Sequence, residues 1–342
     1  MQTHSTNKRA VHGHCDCVRV DGSMSDWFHS NSDVRQGCTI APDLFLLPMD
    51  WVMERTVHRS LVGATVGEES VTDLDFADDV SLIAEMREIL ELSLAIMQEE
   101  ASPLGLELNW SKTKILTTEQ LPSGETKTLV NGNQVEIVDS FTYLGSTVNK
   151  LGSSTDEVLR RIIITKQSLK SLDKNIWRSK ISLTTKIRLY NTCILPILLY
   201  GADTWTLTTQ IRDKLNACDM WCLRHIMRIP YTAHITNNEI RRTTGQASPV
   251  SDTIRRRRLQ LFGHMARSLP AEDHRRLLEA CIADPPHDWR RPRGRPRHTW
   301  LRTVQADLKP LNVDPKSALD KARDRVLWRQ DIEAATLLGA SA

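Results

Sequence analysis

Asp78 and Asp79 stand side by side in VTDLDFADDVSLIAE (71–85), between two short apolar runs. Adjacent carboxylates at a hairpin tip can offer oxygen ligands to a hard divalent cation, which offsets their mutual repulsion. With two such metals, a site can activate an attacking hydroxyl and stabilise a departing pyrophosphate. Aspartate is also a common turn residue, so the pair taken alone equally fits a solvated turn. Other clusters of ligand type are weaker. Cys218, Cys222 and His225 have helical spacing, but both cysteines fall on an apolar stripe and read as core. HGHCDC (12–17) gathers two His and two Cys, with no second cluster nearby to complete a tetrahedral zinc site.

The elements that must position the acids follow from periodicity. Residues 71–84 read as a hairpin broken at the acids, with Leu74 and Phe76 pointing one way and Val80, Leu82 and Ala84 sharing a face. Upstream, residues 16–30 read as a short extended segment with Asp21-Gly22 as a turn. A helical pattern then runs to about residue 59 through Leu46, Asp50, Met53 and Val57. Downstream, an amphipathic helix over 86–101 carries stripes at Ile89, Leu92, Ile96 and at Leu90, Leu94, Met97, and stops at Pro103 and Gly105. LELNWSKTKIL (106–116) reads as turn and strand. Asn131-Gly132 is the strongest hairpin signal in the chain.

From residue 154 the pattern changes to long helices. Ser154 with Glu157 reads as a capping box, followed by a buried stripe of Val158, Ile162, Leu169, Leu172 and Ile176. Helices are expected over 183–199 and about 209–229, the latter with Leu215, Cys218, Cys222, Ile226 and Ile229 on one side. The last helix is expected to start at Asp314-Pro315. Hairpins interleaved with helices, then helices alone, give an α+β fold.

The chain has 342 residues, 40% of them apolar, enough for two or more domains with cores. Its longest apolar run, CILPILLYGA (193–202), is too short to span a bilayer and carries Pro196. The first residues show no secretory h-region, and seven cysteines lack framework spacing. A nuclear or cytoplasmic location follows as the expectation, rather than secretion. Net charge is only +3, yet residues 1–150 hold 11 Lys/Arg against 23 Asp/Glu, and the remainder 34 against 19. So sharp an asymmetry points to two functional halves, the second facing a polyanion.

Four stretches occur in one order: RQGCTIAPDLF (35–45), FADD (76–79), GLELNWSKTKIL (105–116) and FTYLGSTV (141–148). In them the sequence resembles the reverse transcriptases of non-LTR (LINE-type) retrotransposons. The resemblance implies a partial polymerase palm over 1–150 and a helical thumb-like region over 151–230. It leaves 231–342 as a basic C-terminal nucleic-acid-binding region containing a Pro/Arg linker at 284–297. By the same resemblance, Asp78 and Asp79 match the Mg²⁺- or Mn²⁺-binding acid pair. Arg35, Gln36 and Gly37 match the block beside the incoming nucleotide and template base. Lys112 matches a lysine near the triphosphate, with Lys114 the alternative, and Tyr143, Leu144 and Gly145 match the hairpin that holds the primer end. RNA template, DNA primer or target DNA and deoxynucleotides are the implied partners, with no membrane and no obligate protein partner.

The family's first metal-binding aspartate sits in an upstream block of the type D…K-A-F-D, and no such block precedes VRVDGSMSDWF here. Two adjacent carboxylates without an opposing one should bind Mg²⁺ loosely, because the ion demands near-octahedral geometry. The expectation is an N-terminally truncated relative that does not polymerise by itself. In the basic half, Arg255, Arg256, Arg257 and Arg258 read as phosphate contacts or a solvated face. Arg293-Gly294-Arg295-Pro296 resembles an AT-hook core or, equally, a phosphate-binding linker. Competing readings are a non-catalytic nucleic-acid-binding remnant and an unstable translation product.

Overall fold

A computed structural model of the chain describes residues 2–4, 14–20, 22–30, 39–119, 126–230, 232–246, 248–284 and 299–339. It divides into two compact units. One comprises Met1–Ala64 with Thr72–Leu108, the other Thr65–Val71 with Asn109–Ala342.

The first unit opens with four short strands, β1 (Gln2–His4), β2 (His14–Val20), β3 (Ser23–Met24) and β4 (Phe28–Ser30). β2 pairs antiparallel with each of the other three. Helix α1 (Ala41–Ser60) starts on Pro42, whose fixed φ suits a first turn, and ends at Leu61 in the left-handed region. After the excursion of β5 (Ala64–Val66) and β6 (Glu69–Val71), the chain returns as β7 (Asp73–Phe76), β8 (Asp79–Leu82) and α2 (Arg87–Ala101). Val52 and Met53 of α1 meet Met97 and Ala101 of α2, and Val80, Leu82, Leu106 and Leu108 pack on them. Of the two stripes expected on α2, Leu94 and Met97 of one and Ile96 of the other are buried, while Leu92 stays exposed. Glu100, on the buried face, is held by Arg55 at 2.5 Å and by Arg59. That pairing stabilises a carboxylate that would otherwise be costly to bury.

In the second unit β9 (Lys114–Leu116) lies parallel to β11 (Asn133–Val138), which pairs antiparallel with β10 (Lys127–Val130). Asn131 and Gly132 take φ 50° and 79° between β10 and β11, as the type I′ hairpin signal predicts. β12 (Ser140–Tyr143) and β13 (Ser146–Asn149) form a second two-residue hairpin, with Leu144 and Gly145 at φ 46° and 73°.

Helices fill the rest: α3 (Thr155–Ser171), α4 (Leu183–Leu189), α5 (Leu195–Leu198), α6 (Thr209–Met227), α7 (Asn237–Thr244), α8 (Val250–Arg267), α9 (Asp273–Ile282), α10 (Trp300–Leu308), α11 (Pro315–Lys321) and α12 (Arg325–Gly339). Val158, Leu169, Trp177, Tyr190, Leu198, Leu215, Cys218, Cys222 and Ile254 belong to one core. Leu259, Phe262, Leu278, Val304 and Trp328 belong to a second. Helix α8 serves both, contributing Ile254 to the first and Phe262 to the second. The cysteine pair is core, as its spacing on the stripe implies.

Three local expectations are corrected. Ser154 does not cap α3: its hydroxyl accepts from Thr206 N at 2.9 Å, while Glu157 turns to Arg160, Arg161 and Thr147 N. A residue distant in sequence, Thr206, takes Ser154, while Glu157 is taken by the two arginines one turn further along the same helix and by the β13 backbone. The helix expected over 183–199 runs through a π-turn at Tyr190–Ile194. Pro196 follows at once, and its missing N–H cannot donate to an i−4 carbonyl, which the wider turn accommodates. Asp314 caps α11 as predicted, accepting from Lys316 N and Ser317 N at 3.1 and 3.2 Å, but α11 is short and α12 follows as a separate helix.

Candidate functional site

The hairpin carrying the acid pair is built by β7 and β8, with Asp73 opposite Leu82, Asp75 opposite Val80 and Phe76 opposite Asp79. Cross-strand partners share a face. Val80 and Leu82 are therefore on the side that packs against α1 and α2, and Asp73 and Asp75 are on that side with them. Leu74 and Phe76 take the other face and remain 49% and 63% exposed, so the two expected faces are present. Ala77 turns the chain at φ 57°, a left-handed conformation that costs a residue with a Cβ roughly 1 kcal/mol. Asp78 follows in the turn and Asp79 opens β8, both exposed.

Sequence reasoning overlooked the two acids behind them. Burial, then the neighbouring Asp73 and Asp50, push the Asp75 carboxyl up to about 6. Thr72 donates its hydroxyl to Asp73. A cavity of about 410 Å³ beside them is lined by Met53, Glu54, Val57, His58, Thr72 and Asp73. The alternation that puts Leu74 and Phe76 on one face contained this information, since it puts Asp73 and Asp75 on the other, where Asp73 is half-buried and Asp75 remains exposed. Among the described residues, no group of three or more His, Cys, Asp or Glu is arranged to hold a metal ion.

Lys112, Lys114 and the Tyr143-Leu144-Gly145 turn belong to the second unit. Asn109 organises the turn before β9, its side-chain oxygen and carbonyl accepting from Lys112 N at 3.2 and 3.0 Å. The Lys112 side chain is exposed, whereas Lys114 pairs with Glu136, its register partner across β9 and β11. The Tyr143-Leu144-Gly145 turn is fastened to the helices. Tyr200 donates its hydroxyl to Leu144 O at 2.7 Å, and Arg160 and Arg161 both donate to Gly145 O, the former at 2.6 Å. The Arg161 guanidinium lies 4.3 Å over the Tyr200 ring. Buried Glu157 receives Arg160 and Arg161 at 2.8 and 2.6 Å and Thr147 N at 2.9 Å. Burial alone would raise its carboxyl, but these donors hold it below the usual glutamate range.

The arginine run is divided by helix geometry. Arg258, 2% exposed, donates to Asp307 at 2.6 Å and to Trp205 O at 2.8 Å. Arg255 also reaches Asp307, at 3.4 Å, and Arg257 donates to Leu199 O at 2.9 Å, leaving Arg256 exposed to solvent. Arg35, Gln36 and Gly37, and Arg293, Gly294, Arg295 and Pro296, lie outside the described residues.

Residues 1–148 match the reverse transcriptase (RNA-dependent DNA polymerase) family. The chain is 25% identical over 273 residues to a putative uncharacterized transposon-derived protein of Caenorhabditis elegans, an alignment spanning 77% of this chain and 95% of that protein. It is 34% identical over 135 residues to the Pol polyprotein of the type-1 retrotransposable element R2 of Nasonia vitripennis. That match covers 40% of this chain and 12% of the polyprotein. It is 23% identical over 226 residues to the RNA-directed DNA polymerase from the mobile element jockey of Drosophila melanogaster, covering 63% and 24% of the two chains. The matched segment is thus similar to the reverse transcriptases of non-LTR retrotransposons, the family that its four ordered motifs resemble. The chain spans only a small part of the R2 and jockey proteins, but nearly all of the nematode one.

No helix among the described residues is long and apolar enough to cross a membrane.

Proposed function

We propose that this chain descends from an RNA-directed DNA polymerase that adds deoxynucleotides to a primer 3′-hydroxyl on an RNA template, and that the 342-residue chain alone does not polymerise. The observation that carries the descent is the β7–β8 hairpin, which anchors Val80 and Leu82 in a core while presenting Asp78 and Asp79 to solvent. Their hard oxygen donors suit Mg²⁺ or Mn²⁺, ions that keep several waters and commonly take one or two protein carboxylates. When bound, such an ion stabilises charge on transferring phosphates. In this reading Lys112 neutralises triphosphate charge, Arg35, Gln36 and Gly37 meet the nucleotide and template, and Tyr143, Leu144 and Gly145 meet the primer end. Primer extension on poly(rA)/oligo(dT) with either metal tests it, beside an Asp78→Ala control. Extension absent from this chain, and restored when an upstream segment bearing a third aspartate is fused, supports both parts. Robust extension by the unfused chain that Asp78→Ala abolishes would overturn the inactive reading, and extension indifferent to Asp78 would overturn the site.

The charge of residues 151–342, 34 Lys/Arg against 19 Asp/Glu, favours a second reading, a non-catalytic nucleic-acid-binding protein using the basic half. Filter binding of RNA and DNA by the full chain tests that reading separately.

A further inference from the structure

The sequence holds two Ser-Pro dipeptides, Ser102-Pro103 and Ser248-Pro249, and the fold presents them in opposite ways. Both serines are exposed. Ser102 ends α2 with helical dihedrals, φ −56° and ψ −43°, and its hydroxyl donates to Gln98 O at 2.7 Å. Ser248 lies between α7 and α8, outside either helix. A following proline drives a residue toward extended backbone, and Pro249 is itself extended, with φ −60° and ψ 154°.

The surroundings differ as well. Ser102 stands at the negative end of α2, soon after Glu99 and Glu100. Ser248 stands just before the positive end of the 18-residue α8, whose N-cap, Pro249, makes no side-chain capping bond. Arg241 of α7 donates to Ser248 O at 2.7 Å, and its Nη2 lies 3.5 Å from Asp219. Arg255, Arg241, Arg212 and Arg256 all act on Asp252 in the first turn of α8. An anion added at Ser248 therefore meets an excess of cations, whereas one added at Ser102 meets acids and helix carbonyls.

We propose that Ser248 is a phosphorylation site for proline-directed serine kinases, and that its phosphate locks α7 to the start of α8. The γ-phosphoryl of MgATP is transferred to Ser248 Oγ. The Pγ–O bond to the β-phosphate breaks, the P–Oγ bond forms, ADP departs with the bridging oxygen, and the hydroxyl proton passes to the kinase's aspartate base. A kinase cleft takes its acceptor serine in an extended segment, which the chain offers before Pro249 and not at Ser102. The product carries about −1.5 to −2 charges at neutral pH and three acceptor oxygens, which suit Arg241 and the first N–H groups of α8. The site is independent of the polymerase motifs and of any bound nucleic acid.

Incubating the full chain with MgATP and a mitogen-activated protein kinase, then mapping phosphate by mass spectrometry, tests the assignment. Synthetic peptides of residues 98–108 and 244–254 serve as the unfolded reference. Both peptides should accept phosphate, whereas the folded chain should accept it at Ser248 and not at Ser102. A 244–254 peptide that the kinase ignores, a folded chain that leaves Ser248 unmodified, or one that takes phosphate equally at both serines would overturn the site. The phosphorylated chain should melt about 2 °C above the unmodified one, the shift that an anion at a helix start implies for a protein of this size. That gain should shrink in about 1 M NaCl, which screens the ion pair, and in Arg241→Gln. No gain, or a loss, in the phosphorylated wild type would overturn the lock.

Discussion

Tyr200 donates its hydroxyl to the carbonyl of Leu144 at 2.7 Å, so a residue after α5 holds the tip of the β12–β13 hairpin. Arg161 lies against the same ring and donates to Gly145 O, and both arginines of α3 rest on Glu157. The turn's two carbonyls are therefore engaged from the helical side, which fixes the hairpin's direction before any ligand is present.

Removing the Tyr200 hydroxyl by Tyr200→Phe should lower stability by about 1 kcal/mol, the worth of one hydrogen bond. Glu157→Gln should cost more, on the order of 3 kcal/mol, because two arginines lose a buried partner. The acid dependence has a definite sign. Glu157 has a depressed folded pKa, so its contribution is present above the ordinary glutamate range and lost as pH falls through the lower folded value. Denaturant melts between neutral pH and pH ~3 should show that slope in the wild type and a smaller one in Glu157→Gln.

Asp75 works in the opposite direction. Its folded pKa, about 6, exceeds the unfolded value, so the charged form is disfavoured on folding. Its penalty is absent at pH ~4, grows between pH ~4 and ~6 and is full at neutral pH. Asp75→Asn should therefore stabilise the chain at pH 7 by about 1 kcal/mol, a figure discounted for solvent screening at this exposed residue, and by little at pH 4. Thermal melts at the two pH values check it.

Gly263 of α8 sits against the indole of Trp328, whose Nε1 donates to Leu259 O at 2.9 Å. A Cβ at residue 263 would fall 2.3 Å from that nitrogen. Gly263→Ala, favourable to an isolated helix, should here destabilise by about 1–3 kcal/mol through overpacking. Near-ultraviolet dichroism and fluorescence of the tryptophans would report the displaced ring.

Within the arginine run, Arg258→Ala should cost on the order of 3 kcal/mol, because Asp307 keeps only the longer contact with Arg255 and Trp205 O loses its donor, whereas Arg256→Ala should change stability by less than about 0.5 kcal/mol. Chemical denaturation of the two variants, beside RNA binding of Arg256→Ala, separates structural from surface roles in one tetrapeptide.

The parts of the fold that sequence made legible are those governed by neighbours in the chain. Alternation around Asp78 and Asp79 set the hairpin and its faces, Asn131-Gly132 set a turn, and Asp314-Pro315 set a helix start. Where distant partners decide, local signals misled. Ser154 and Glu157 have the spacing of a capping box, but distant Thr206 takes Ser154, and Glu157 turns instead to Arg160 and Arg161 on its own helix. Four consecutive arginines resemble a phosphate-binding patch, yet a helix necessarily turns some of them inward, and Asp307 lies far along the chain. Asp324, not singled out in the sequence, accepts from Val326 N at 2.8 Å and marks the start of α12.

Residues 65–71 sit in the second unit although residues on both sides of them build the first. Glu69 of β6 is gripped by Arg276 of α9, and Gly67 lies against Ala280. The backbone consequently passes between the units three times, and no single scission can free one from the other. A protease nick after residue 108 would leave the amino-terminal piece still tethered by its own seven-residue hairpin, so limited digestion should yield fragments that co-elute until denatured.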